Sequence, residues 1–219
     1  MTGPSNISKR RATALKEGSS DYLAKRAELV EIAAQQFKQS GYRATTLAEI
    51  GRKAGLDRAT VYYYFGSKEE LFREILRTGV DANIRECVRI SRDEGLSALE
   101  KLEAVVRQLM KAYDEHYPHM YVYIQEEMER IASEKSVWAK EIASQTRKFE
   151  RIVLDLVSQA VRDGELRSDI PVSVAANAIF GMVNWTHRWY QPGGYHSADV
   201  VGGAFASIFL DGMRVGKKR

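Results

Sequence analysis

The stretch TTLAEIGRKAGLDRATVYYYFGSKEEL, Thr45–Leu71, decides the fold. Thr46 and Glu49 stand three apart ahead of an apolar-periodic run that starts at Leu47, the spacing of a capping box. Gly55 closes that short helix. Asp57 is placed to cap a second one, Arg58 to Tyr64, which stops at Gly66, and Ser67 with Glu70 repeats the capping pattern for a third, longer helix. Upstream, Leu23, Ala27, Val30, Ala34 and Phe37 recur at steps of four and three, which makes one apolar stripe on a helix running from Tyr22 to Ser40-Gly41. Three short elements, Leu23–Ser40, Leu47–Ala54 and Arg58–Tyr64, joined by tight turns, have the layout of a helix-turn-helix, whose second short helix enters the major groove of DNA. Ala48, Ile50, Ala54, Leu56 and Val61 read as its core, with Tyr64 and Phe65 packed beside them.

The chemistry of this segment suits a phosphate-lined partner. Thr45 and Thr46, at a helix start, can donate to a phosphate while the helix N-terminus adds its dipole. Arg58 and Thr60 open the recognition helix, where side chains reach base edges, and arginine matches the two acceptors of guanine. Tyr62 and Tyr63 carry hydroxyls for phosphate or a base edge. Arg52 and Lys53 read equally as phosphate contacts or as solvated surface. Residues 1–70 hold 12 Lys+Arg and 8 Asp+Glu, so the whole net charge of +4 sits in the first third and residues 71–219 are neutral. Residues 1–20, with Lys9, Arg10, Arg11 and Lys16 among small polar residues, read as a flexible basic arm.

Thr-Thr, Ile-x-x-x-Ala-Gly (Ile50 to Gly55) and Tyr-x-Tyr-Phe-x-Ser-Lys-Glu (Tyr62 to Glu69) fall in register within this stretch. The pattern resembles the signature of TetR-family DNA-binding domains over residues 22–75. The resemblance implies a transcriptional repressor on a palindromic operator. It also implies a phosphate contact for Lys68, and a backbone-contact role for Tyr63, which fills a position often held by histidine.

The remainder predicts further helices over about Lys68–Arg92, Ala98–His116, Pro118–Glu134, 136–163, Pro171–Tyr190 and Ser197–Arg214. The expected fold is all-α, with nine helices and no strand: an arm at 1–20, a helix-turn-helix domain at 21–67 and a ligand-binding and dimerisation domain at 68–219. The eighth helix is apolar nearly all round (Val174, Ala178, Ile179, Met182, Val183, Trp185, Trp189), which calls for burial on several sides. With Gly181 there, and Gly202, Gly203, Ala204 and Ala206 allowing close approach in the ninth, these two helices are assigned to an isologous homodimer interface.

Two further stretches, YVYIQEEMERIAS (Tyr121–Ser133) and NWTHRWYQPGG (Asn184–Gly194), resemble the acyl-CoA-responsive branch of the family, regulators of fatty-acid and steroid-ring breakdown. By that resemblance Tyr121, Met128, Trp185, Arg188 and Trp189 are the candidate effector contacts. Trp185 matches a tryptophan that lines the pocket in steroid-acyl-CoA members. Gly181 replaces the arginine those members carry four residues earlier, so their particular ligand does not carry over. Arg188 suits the anionic part of a CoA thioester, or a carboxylate across the dimer. The tryptophans read equally as ligand wall and interface anchors. Tyr113, Tyr117, Tyr121 and Tyr123, with Met110, Met120 and Met128, either line a cavity or are plain core. Two effector classes stay open, an acyl-CoA thioester and a lipophilic compound without CoA.

Other classes find little support. No nucleophile motif, Gly-rich phosphate loop or metal-ligand spacing occurs, so neither an enzyme nor a bound cofactor is expected. His116 and His119 straddle Pro118 without further ligands nearby. No run approaches the roughly 18 apolar residues of a membrane span. The polar, basic N-terminus lacks a secretory core segment. Cys87 is the sole cysteine and reads as a small buried filler. These features place the protein in the cytoplasm.

Overall fold

The computed structural model describes Thr13, residues 19–130 and residues 137–215, without the side chains of residues 78–79, 126–130, 137–139 and 141–142. The basic arm expected over 1–20 lies, but for three residues, outside the described residues. The helices are α1 (Ser20–Ala44), α2 (Leu47–Lys53), α3 (Arg58–Tyr64), α4 (Lys68–Ser91), α5 (Ala98–Glu115), α6 (His119–Arg130), α7 (Val137–Arg162), α8 (Val172–Asn184) and α9 (Ala198–Met213). A 3-10 turn, Trp185–Arg188, follows α8. Among the described residues there are nine α-helices and no strand, as the periodicity predicts, and none of these helices is long and apolar enough to cross a membrane.

Two boundaries differ from expectation for local reasons. α1 runs to Ala44 but is kinked at Gly41 (φ 76°, ψ 157°), so the predicted stop at Ser40-Gly41 appears as a bend one turn before the end. α8 stops at Asn184 rather than near Tyr190. The Thr186 hydroxyl donates to the Val183 carbonyl at 2.6 Å, a local bond that competes with helix continuation and accompanies the tighter 3-10 turn.

The chain forms two compact units, 1–78 and 79–219. The first takes in the opening turns of α4, which the sequence reading assigns to the second. There Leu71, Phe72 and Ile75 are buried in the same unit as Leu29 and Phe37 of α1, Ile50 of α2 and Val61 of α3. In the second unit α5 is central: Leu102, Val105, Val106, Met110 and Tyr113 are buried with Val153 and Val157 of α7, Ile179 of α8 and Phe209 of α9.

α5 and α9 make the most extensive helix pairing. A Cβ on Gly202 would stand 3.1 Å from the Arg107 Cα, and one on Gly203 2.8 Å from the Arg107 guanidinium. Gly202, expected at a contact between chains, therefore serves packing within the chain, whereas Gly203 meets only the flexible end of the Arg107 side chain. Ala206 is buried in the same core, whereas Gly181 faces open space.

Candidate DNA-reading surface and effector cavity

The short helices are set by their caps. Thr46 Oγ1 accepts from the Glu49 amide at 3.2 Å, and the Glu49 carboxylate accepts from the Thr46 amide at 2.8 Å. That backbone bond holds the Glu49 carboxyl below its ordinary range. Asp57 accepts from the Thr60 amide at 2.7 Å, which caps α3 and likewise lowers the Asp57 pKa. Between the two helices Gly55 supplies a positive φ of 67°. Gly51 lets them close: a Cβ there would lie 2.7 Å from Val61 Cγ2 and 3.0 Å from the Leu56 carbonyl oxygen.

This frame presents α3. Arg58 is exposed, and its guanidinium lies 3.5 Å from the Tyr62 hydroxyl and 5.5 Å from that ring's centre, so the pair shares one face at i, i+4. Thr46, Arg58 and Tyr62 line one shallow groove with Gly66 and Ser67. Thr60 and Tyr63 are half-buried on the same helix. Tyr63 and Tyr64 pack on Tyr22 of α1 at ring separations of 5.4 Å and 5.0 Å.

Two of the expected phosphate contacts have partners within the chain, although both line the same groove. Thr45 is only 1% exposed, and its hydroxyl donates to the Gly41 carbonyl at 2.9 Å. The Lys68 ammonium donates to the carbonyls of Tyr42 and Thr45 at 2.8 Å each and of Arg43 at 3.4 Å, above the Tyr42 ring. The end of α1 leaves carbonyls without helical partners, and the lysine caps them.

In the second unit, α4, α5, α6, α7 and α8 enclose a cavity of about 470 Å³. Val80, Ile84, Leu109, Met120 and Ile124 give it apolar walls, with Phe149 edge-on to Phe180 at 5.6 Å. Tyr113 and Tyr123 add phenols, the latter hydrogen-bonded to the Thr146 hydroxyl at 2.9 Å. Four exposed polar residues, Arg147, Glu150, Asn177 and Asn184, also line it. Asn83 is buried in its wall and accepts from the Cys87 thiol at 3.7 Å. Burial pushes that thiol up to about 12, so Cys87 is the inert filler expected. α9 contributes no described residue to the wall.

The effector contacts chosen from sequence lie elsewhere. Trp185 and Trp189 are 58% and 50% exposed, and Arg188 stacks its guanidinium 4.8 Å over the Trp185 ring in the open. Tyr121 sits half-buried between Tyr117 and His187, at 6.2 Å from each ring. None of these four lines the cavity. The side chain of Met128 lies outside the described residues.

The reason is helical phase. Ala175, Ile179, Val183 and Thr186 follow the inner stripe of α8 and its 3-10 extension, whereas Val174, Ala178, Gly181, Trp185 and Arg188 follow the outer one. The cavity takes the flank between them, Asn177, Phe180 and Asn184. Two amides seven residues apart, on a helix whose one other polar side chain is Ser173, were the available signal. The outer stripe, with Val200 and Ile208 of α9 at 55% and 64% exposed, presents apolar surface to solvent.

Comparison with known proteins fits this geometry. Residues 29–75 match the family described as "Bacterial regulatory proteins, tetR family", and residues 95–213 match "Tetracyclin repressor-like, C-terminal domain". The chain belongs to the TetR family. Among its TetR relatives, the HTH-type transcriptional repressor KstR2 of Rhodococcus jostii (strain RHA1) is 32% identical over 200 residues, covering 90% of this chain and 95% of that protein. The structure of the ketosteroid transcriptional regulator KstR2 of Mycobacterium tuberculosis aligns with a TM-score of 0.79 at 30% identity, over 87% of this chain and 95% of that one. AibR in complex with isovaleryl coenzyme A and operator DNA shares the fold, with a TM-score of 0.71 at 21% identity over 84% and 97% of the two chains. The protein is thus a TetR-type transcriptional repressor and not an enzyme, and TetR regulators bind operator DNA and dimerise.

Proposed function

We propose that this TetR-type repressor holds a palindromic operator as an isologous homodimer and lets go when an acyl-CoA thioester enters the cavity. The observation that carries the effector class is the cavity itself. Its 470 Å³ lie within the roughly 300–1,000 Å³ of small-ligand sites. Its apolar walls suit an acyl group, and Arg147 with the amides of Asn177 and Asn184 suits the phosphates and amides of the CoA portion. Arg147 takes the role that sequence alone gave to Arg188. The same fold in AibR accompanies isovaleryl coenzyme A, and KstR2 is described as a ketosteroid regulator. By this reading the protein acts in the cytoplasm on genes of acyl or ring breakdown.

Thr46, Arg58, Thr60, Tyr62 and Tyr63 form the DNA-contact set. Arg58, exposed at the start of α3, is its base reader. Arg58→Ala is expected to weaken operator binding by roughly 1–3 kcal/mol and to relax one base position per half-site. An unchanged sequence preference in a binding-site selection would remove Arg58 from the set. The exposed stripe of Val174, Trp185 and Trp189, with Val200 and Ile208 of α9, supplies the two-fold interface.

Release works through α4. Its first turns are buried with the helix-turn-helix core, and its later residues Val80, Asn83 and Ile84 belong to the cavity wall. An effector that fits only one setting of α4 shifts the population away from the spacing of recognition helices that matches both half-sites. The test is operator DNA titrated with acyl-CoA thioesters and their matching free acids. Release by one thioester class and not by its acid supports the proposal. Tight binding that no thioester disturbs overturns the CoA reading and favours a lipophilic effector without CoA. An operator affinity unchanged at effector saturation overturns the α4 mechanism.

A further inference from the structure

Most of the positive excess of the DNA-binding unit precedes its folded helices. Residues 1–18 hold four Lys+Arg and one Asp+Glu, whereas residues 19–70 hold eight and seven. Three of those eight cations are engaged within the fold. Lys25 pairs with Glu28 at 2.9 Å, Arg26 pairs with Glu74 at 3.1 Å, and Lys68 caps the carbonyls at the end of α1. Affinity for DNA depends strongly on how many phosphates a protein's cations neutralise, and the charge of residues 19–70 is close to balanced. The cations in excess, Lys9, Arg10, Arg11 and Lys16, belong to the segment that leads into α1.

The start of α1 shows where that segment joins the unit. Ser19 caps the helix, accepting from the Tyr22 amide at 3.3 Å. The Tyr22 ring is buried against α3, edge-on to Tyr63 at 5.4 Å and stacked on Tyr64 at 5.0 Å. The chain thus enters beside the end of the recognition helix whose Tyr63 belongs to the DNA-contact set. A phosphate strand divides the major groove from its neighbouring minor groove, about half a helical turn or roughly 17 Å away. Arg11 is eight residues from Ser19, so its backbone stays within about 29 Å of this point along any path. We infer that residues 1–18 are a second DNA-contact element, whose Lys9, Arg10, Arg11 and Lys16 follow the minor groove next to the major groove that α3 enters. The negative potential of a narrow minor groove draws such side chains. α3 then reads bases, and residues 1–18 supply much of the electrostatic attachment. The inference rests on α3 as the reading helix and is independent of the effector.

The experiment compares the full chain with a variant carrying Lys9→Gln, Arg10→Gln, Arg11→Gln and Lys16→Gln. The probe is a duplex bearing the palindrome recovered by binding-site selection, with flanking base pairs on both sides. Hydroxyl-radical cleavage, which attacks sugars from the minor groove, maps the contact, and methylation of guanine N7 reports α3 in the major groove. The wild type is expected to protect minor-groove positions beside each half-site. The variant is expected to lose that protection and to keep the major-groove pattern. Its plot of log affinity against log salt should be shallower by about two or more, with affinity about ten-fold lower in ~0.1 M salt. A wild-type footprint confined to the major groove overturns the inference, whatever the variant does. An unchanged salt slope overturns it too, even with weaker binding, because the loss would then trace to the fold and not to phosphate contacts. Arg58→Ala, run alongside, should alter base preference and leave the minor-groove protection in place. Failure of the α3 reading and failure of this one are therefore read from different variants.

Discussion

Gly51→Val is expected to abolish operator binding and to destabilise the unit of residues 1–78 by about 3 kcal/mol. Any side chain at this position starts from a Cβ 2.7 Å from Val61 Cγ2 and 3.0 Å from the Leu56 carbonyl oxygen. Neither neighbour yields. Val61 is wholly buried and stiff at χ1, and Leu56 contributes backbone in the turn whose amide bonds to the Gly51 carbonyl at 2.8 Å. α3 must therefore move off α2 and take Arg58 and Tyr62 with it. Valine adds two further methyl groups to that conflict and forfeits the helix-propensity gain that alanine would bring. Amide exchange in residues 47–64 should rise steeply, while residues 79–219, a compact unit of their own, keep their protection and their effector affinity. Wild-type operator affinity in the variant would show that the turn relaxes freely, and the close approach would lose its importance.

Ala143→Trp is expected to give a repressor that binds its operator normally and no longer responds to effector. Ala143 lines the cavity from α7, together with residues of α4 and α8. An indole there occupies part of the roughly 470 Å³ that a ligand would fill. Overpacking of roughly 3 kcal/mol set against ligand binding corresponds to a loss of about a hundred-fold in effector affinity. The substitution leaves the helix-turn-helix untouched, so operator affinity in the absence of effector stays near that of the wild type. Titrating the operator complex with effector separates the outcomes. Release at wild-type concentrations would mean that the effector binds elsewhere.

The helix-turn-helix was legible because its determinants are local. The Thr46–Glu49 box and the Asp57 cap each close within three residues, so spacing alone places both short helices. The intrachain partners of Thr45 and Lys68 were not legible because they come from the tertiary fold. The lysine reaches back to a carbonyl 26 residues earlier in the chain, at a helix end that the sequence does not bring near it. The cavity was harder to read. α8 has two apolar stripes, one packed on the core and one facing outward, and hydrophobicity cannot tell them apart. The tryptophans drew attention to the outward one, whereas the cavity lies on the flank marked by Asn177 and Asn184. Tyr113, Met120 and Tyr123 were picked out as possible cavity residues and do line it. Tyr117 and Tyr121 belong to the same aromatic run but do not: Tyr117 lies in the turn between α5 and α6, and Tyr121 stands two residues, about 200° around the helix, from Tyr123.

α9 lies against α5 through Gly202 and Gly203, turns Val200 and Ile208 outward, and has no described residue in the cavity wall. Substitutions that retune the signal fall on other helices, so chemical specificity drifts without altering this face. After gene duplication, two copies diverge in what they answer to sooner than in how they recognise each other. With the two-fold interface on α9 as proposed above, young paralogues sharing one cell inherit a capacity for mixed assemblies, which ends only when selection reaches the outward residues of α9.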